Sequence, residues 1–79
     1  MSPAAKAKSW EDRVRLHLKA EIKRADMTYE ELAKRLEAHG FKENAASLAN
    51  KLSRGTFSAT FLLATIAALE LEGIRLEDI

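Results

Sequence analysis

Apolar residues recur along this chain at helical intervals, in stretches separated by residues suited to helix caps and turns. Between Thr28 and Gly55 the set Tyr29, Leu32, Ala33 and Leu36 is followed by Ala45, Leu48, Ala49 and Leu52. Both sets keep the i, i+3, i+4, i+7 spacing that lines up one apolar stripe on each of two helices. Thr28 with Glu31 three residues on is a capping-box pair, each side chain satisfying a backbone N–H of the first turn. Gly40 is placed to stop the first helix, Asn44 can cap the second, and Gly55 can supply the left-handed residue that ends it. Two capped amphipathic helices this close together must fold against each other.

The flanking stretches continue the pattern. Ser9 caps a first helix on which Trp10, Val14, Leu18, Ile22 and Ala25 fall within about 120° of one another, a single core-facing stripe. Glu11 and Asp12 sit at the positive end of its dipole, and Leu16 lies on the far side among basic residues. Met27 takes the hydrophobic-staple position ahead of Thr28. After Gly55, Ser58 caps a last helix running to about Leu71. Phe61, Leu62, Leu63, Ile66, Ala67 and Leu69 make it apolar nearly all round, which predicts both a central packing role and half of a subunit interface. Gly73 breaks it, and Ile74, Leu76 and Ile79 form a tail expected to fold back over the core. Residues 1–8 read as a flexible N-terminal tail and residues 9–79 as a single all-α domain.

At 79 residues the core can bury only about 60–65% of the unfolded chain's surface, which leaves no room for a cleft between domains. No apolar run approaches the roughly 18 residues of a membrane span, and the N-terminus lacks the apolar region of a signal peptide. The absence of cysteine suits a reducing compartment, so the cytoplasm is the expected location. Net charge is +1, but unevenly spread: residues 1–56 hold 12 Lys and Arg against 8 Asp and Glu, and residues 57–79 hold one Arg against four acids. One part is therefore basic and the other acidic, which favours a polyanionic partner for the first.

Neither His17 nor His39 has the two or three further ligands that a zinc site needs, so no metal is expected. Ser53, Thr56 and Ser58 have no base placed by a recognisable motif, and no Gly-rich phosphate loop occurs. No catalytic residue, cofactor or small-molecule substrate is expected. The outward side of the third helix is more informative. Ser47, Asn50, Lys51 and Arg54 lie opposite its apolar stripe, and this face contains no acid. Asn pairs with adenine, Arg and Lys with guanine, and Ser with base or phosphate. Asn50, Lys51 and Ser47 are the expected base contacts. Arg54, Thr56 and Lys42 near the helix ends are the expected phosphate contacts, and the capping residue Asn44 completes the expected DNA-binding set.

The segments MTYEELAKRL, NKLSRG and GIRLED resemble the helix-turn-helix domain of phage-repressor and Cro type. The chain is also similar to small bacterial proteins that carry MTYxELAxRL with NKxSRGxFSA. The resemblance covers about Val14 to Ile79 and implies a compact four- to five-helix, repressor-like fold with the Asn44–Arg54 helix in the recognition position. Leu32 to Gly55 spans 23 positions, more than in such repressors, so a second helix about a turn longer and an enlarged connection are expected. Tyr29 stands where those repressors commonly place a phosphate-binding Gln, and its place on the apolar stripe predicts burial instead. The expectation is a homodimer that binds double-stranded DNA, a small bacterial or phage-derived transcriptional regulator. The rival expectation is a protein–protein interaction module that uses the apolar fourth helix without any DNA.

Overall fold

The structure, a computed structural model, describes residues 8–79. The expected tail, residues 1–8, lies outside the described residues except for Lys8. Four α-helices follow in order: α1 Trp10–Arg24, α2 Tyr29–Glu37, α3 Ala45–Arg54 and α4 Ala59–Ala68, with a 3-10 turn at Leu76–Asp78. The protein is all-α, with no strand among the described residues. Among the described residues no helix is long and apolar enough to cross a membrane.

Each helix starts on the side chain its sequence offers. Ser9, Thr28, Asn44 and Ser58 accept a hydrogen bond from the backbone N–H three residues on, satisfying one of the unpaired donors of the first turn. Three helices end alike. Met27 N–H donates to the Ile22 carbonyl, Phe41 to Leu36 and Leu71 to Ile66, while Asp26, Gly40 and Glu70 donate to Lys23, Glu37 and Ala67. This is the Schellman pair of bonds, with the left-handed residue at Asp26 (φ 55°), Gly40 (φ 86°) and Glu70 (φ 60°). Each such turn delivers an apolar residue, Met27, Phe41 or Leu71, back onto the core.

Helix α3 packs on α1 and α2, and α2 also packs on α4. Leu18, Ile22, Leu32, Leu36, Leu48, Leu52, Phe61 and Ile66 fill the space between them. The Phe61 ring meets Phe41 edge-on at 5.9 Å and Phe57 at 5.3 Å. The buried Thr65 hydroxyl donates to the Phe61 carbonyl at 2.8 Å, so it is satisfied within its own helix. Arg35 of α2 donates to the Ala68 carbonyl at the end of α4, where a cation suits the negative end of the helix dipole.

Several expectations are corrected. Trp10 is 57% exposed and Ala25 is exposed, so the α1 stripe is buried only through its middle. Both are terminal, Trp10 the first residue of α1 and Ala25 its C-cap, and the start of α1 meets the end of α3 through the Glu11 backbone rather than through the indole. The Trp10 ring instead lies under the Arg13 guanidinium at 4.1 Å. Helix α2 is not lengthened; the extra residues form the connection 38–44, because Gly40 closes the helix, and His39 lies beyond its end. Helix α4 stops at Ala68 rather than Leu71 because Glu70 turns left-handed. Phe61 is 2% exposed, enclosed by Phe41 and Phe57, and so cannot lie at a two-fold contact. Within the C-terminal segment Ile74 packs against the core, whereas Leu76 is exposed. Tyr29 is half-buried against the core.

Candidate nucleic-acid interface

Helix α3 is held from both ends. At its start the Asn44 side chain accepts from the Ser47 N–H at 2.8 Å, and the Ser47 hydroxyl accepts from the Asn44 N–H at 2.9 Å. At its end Gly55 adopts φ 73° and donates to the Lys51 carbonyl. A Cβ on Gly55 would stand 2.5 Å from the Glu11 carbonyl oxygen, so the end of α3 lies directly on the start of α1. Leu48 and Leu52 are fully buried. Ala49, expected on the same stripe, is exposed, because at 100° per residue it stands about 80° from the midpoint of Leu48 and Leu52.

At 100° per residue Asn50 stands directly opposite the midpoint of Leu48 and Leu52. It is exposed, as are Ala46, Ala49, Ser53 and Arg54 around it. Lys42 before the helix and Thr56 beyond it are exposed too. Among the described residues neither Arg54 nor Lys42 joins an ion pair, and no acid belongs to α3 itself.

Ser47 and Lys51 are placed differently. Both turn toward Glu43, the residue before the cap: the Ser47 hydroxyl donates to one carboxylate oxygen at 2.7 Å and the Lys51 ammonium to the other at 2.5 Å. The Glu43 side chain is 6% exposed. Burial pushes its carboxyl up, but the hydrogen bonds from Lys51 and Ser47 and the charge of Lys51 outweigh this and hold it below the ordinary value. Lys51 also stands 4.4 Å from the centre of the Phe61 ring, an attractive placement for a cation over an aromatic face. The structure thus joins Ser47 and Lys51 through Glu43, with Asn44 bonded to Ser47 in the capping box, and leaves Asn50, Arg54, Lys42 and Thr56 facing outward. Glu43 was not singled out from the sequence. Its spacing to Ser47 and Lys51, four and eight residues, was the available signal, since those positions share one side of a helix extended backward by a turn.

The two histidines stand apart from this face. His17 on α1 lies 3.8 Å from Glu21, and His39 is exposed in the turn after α2.

A family model described as "Domain of unknown function (DUF6471)" matches residues 10–74, a span that includes all four helices. No curated protein and no solved structure matches the chain.

Proposed function

The chain belongs to this DUF6471 family, and we propose that it binds double-stranded DNA by laying α3 in the major groove. The observation that carries this is the outward face of α3: polar and small residues centred on Asn50, with Arg54 at its end and no acid among them. A helix of this size fits the groove, and Asn and Arg are side chains suited to reading bases and gripping phosphates. The excess of positive charge in residues 1–56 supports the same partner, because phosphate neutralisation supplies most of the non-specific affinity. The fold role is that of a repressor-like helix-turn-helix, with α2 and α3 as the motif, in a small bacterial or phage-derived transcriptional regulator acting in the cytoplasm.

Two copies acting together complete the proposal. From Phe57 to Leu69 the chain carries no charge, and on the outward side of α4 Leu63 is 66% exposed beside the exposed Ala59, Thr60 and Ala67. An uncharged face with one large side chain at its centre suits an isologous contact. A dimer would set its two α3 helices about 34–36 Å apart, one helical turn of DNA. The same face supports the second possibility, a protein–protein interaction module that needs no DNA.

Retention on random duplex as a function of salt separates the two. For the DNA-binding protein the logarithm of the affinity falls linearly with log salt, and Arg54→Ala lowers that slope by about one because one phosphate contact is lost. Absence of retention at low salt removes DNA from the proposal and leaves the interaction module.

A further inference from the structure

We propose that α3 reads a half-site core of A·T base pairs, because Glu43 withholds Lys51 and Ser47 from the groove and leaves Asn50, with the methyl groups of Ala46 and Ala49, to face the bases. This rests on the DNA-binding proposal above and narrows it to a class of sequence.

The chemistry follows from what each side chain has left to offer. A lysine reads guanine by donating to O6 and N7. Lys51 donates to Glu43 at 2.5 Å and lies over the Phe61 ring. Swinging it into the groove would strand a carboxylate whose side chain is 6% exposed, and an unpaired buried charge is strongly disfavoured. Ser47 has one hydroxyl hydrogen. Its oxygen accepts the Asn44 N–H, and that hydrogen is directed to Glu43 at 2.7 Å, with the Asn44 carbonyl also within reach at 3.0 Å. It keeps no donor for a base.

Asn50 is not so engaged. Its amide carries the donor and acceptor that match adenine N7 and N6 as a pair, and it projects from the centre of the exposed face. Ala46 and Ala49, one turn before it and immediately before it, bring methyl groups without donors or acceptors. Such groups pack on the thymine 5-methyl, and they would leave guanine O6 or cytosine N4 without a partner. Their small size also lets the helix backbone come close to the base edges. Arg54, Lys42 and Thr56, exposed near the ends of the helix, are left for phosphates. Glu43 is thus a positioning residue that sets specificity by subtraction.

The test selects bound duplexes from a random pool with the full chain, then replaces bases one atom at a time in the selected core. We expect A·T pairs at the centre of each half-site. Adenine exchanged for 7-deazaadenine should weaken binding by about 5- to 150-fold, the range of one bidentate pair, and Asn50→Ala should abolish that sensitivity. Thymine exchanged for uracil should weaken it several-fold. The double variant Glu43→Gln with Lys51→Met, which removes both charges of the pair and keeps an apolar stem over Phe61, should leave affinity and salt slope unchanged. Glu43→Gln should release Lys51, steepen the salt slope by about one phosphate equivalent and admit guanine into the selected core. A core of G·C pairs, indifference to both base analogues, or a loss with the Glu43→Gln, Lys51→Met double variant equal to that with Arg54→Ala would overturn the inference while DNA binding stood. Failure to retain any duplex at low salt would overturn the DNA-binding proposal and this inference with it. The base-analogue measurements use the unaltered chain and so hold whatever the stability of the variants.

Discussion

Helices α2 and α3 both begin on a capping box and both bury two leucines four residues apart, Leu32 and Leu36 in one, Leu48 and Leu52 in the other. Their outer faces diverge. Helix α2 exposes Glu30, Glu31, Lys34, Arg35 and Glu37, a mixed-charge surface, whereas α3 exposes Ala46, Ala49, Asn50, Ser53 and Arg54. Their ends diverge as well: Gly40 after α2 has open space where a Cβ would go, while Gly55 after α3 has the Glu11 backbone there. The inner pattern that folds the two helices together says nothing about which one faces a partner. That distinction sits in the outer face and in how tightly the helix is fixed.

The largest expected effect tests the shared inner faces. Leu36 and Leu52 are both essentially inaccessible, so Leu36→Ala and Leu52→Ala should each cost about 2–5 kcal/mol in chemical denaturation, a large share of the stability of a small domain. Comparable losses would confirm that the two stripes are equivalent. A loss below about 1 kcal/mol at either position would mean that its helix does not share the core.

The next effect tests the ends, where the helices should part. Gly40→Ala carries only the left-handed penalty, about 1–2 kcal/mol. Gly55→Ala adds a clash with main-chain atoms of Glu11, which cannot swing aside as a long side chain does, so a further cost of about 1–3 kcal/mol is expected. Thermal melts of the two variants compare them directly. Equal shifts would show that the contact between α3 and the start of α1 yields readily, and with it the idea that α3 is the fixed helix.

Most of the fold was legible because caps and stripes are local. Ser9, Thr28, Asn44 and Ser58 announce the helix starts by residue type, and Leu18, Ile22, Leu32, Leu36, Leu48 and Leu52 announce the core by spacing. The misreadings share a cause in tertiary geometry. Nothing in the spacing of Trp10 or Ala25 reveals that the ends of α1 leave them in solvent. Nothing in the residue types at Asp26 and Glu70 announces a left-handed turn, since those positions favour glycine or asparagine. At the candidate site the exposed Asn50 and Arg54 followed from the helical angle. The withdrawal of Ser47 and Lys51 depends on Glu43, which lies just outside the helix and is signalled only by its spacing of four and eight residues to them.

The smallest effect is in pH, and it sharpens the comparison at the helix starts. Glu31 and Glu43 both titrate below the ordinary carboxylate value near 4.5, for different reasons. Glu31 is solvent-exposed and is lowered chiefly by the Thr28 N–H and hydroxyl that it bonds in the capping box. Glu43 is raised by burial and lowered, on balance, by Lys51 and Ser47. A carboxylate whose folded value lies below its unfolded one contributes stability that is fully present above the unfolded value and is lost as pH falls through the folded one. Both helices should therefore loosen only below about pH 4.5, and neither group contributes any slope near neutrality. Glu43→Gln and Glu31→Gln should each flatten the acid limb of a stability-against-pH curve. An acid limb unchanged by Glu43→Gln would mean that Lys51 and Ser47 do not hold the carboxylate in its charged form in solution. The outward face of α3 would then include Lys51 after all.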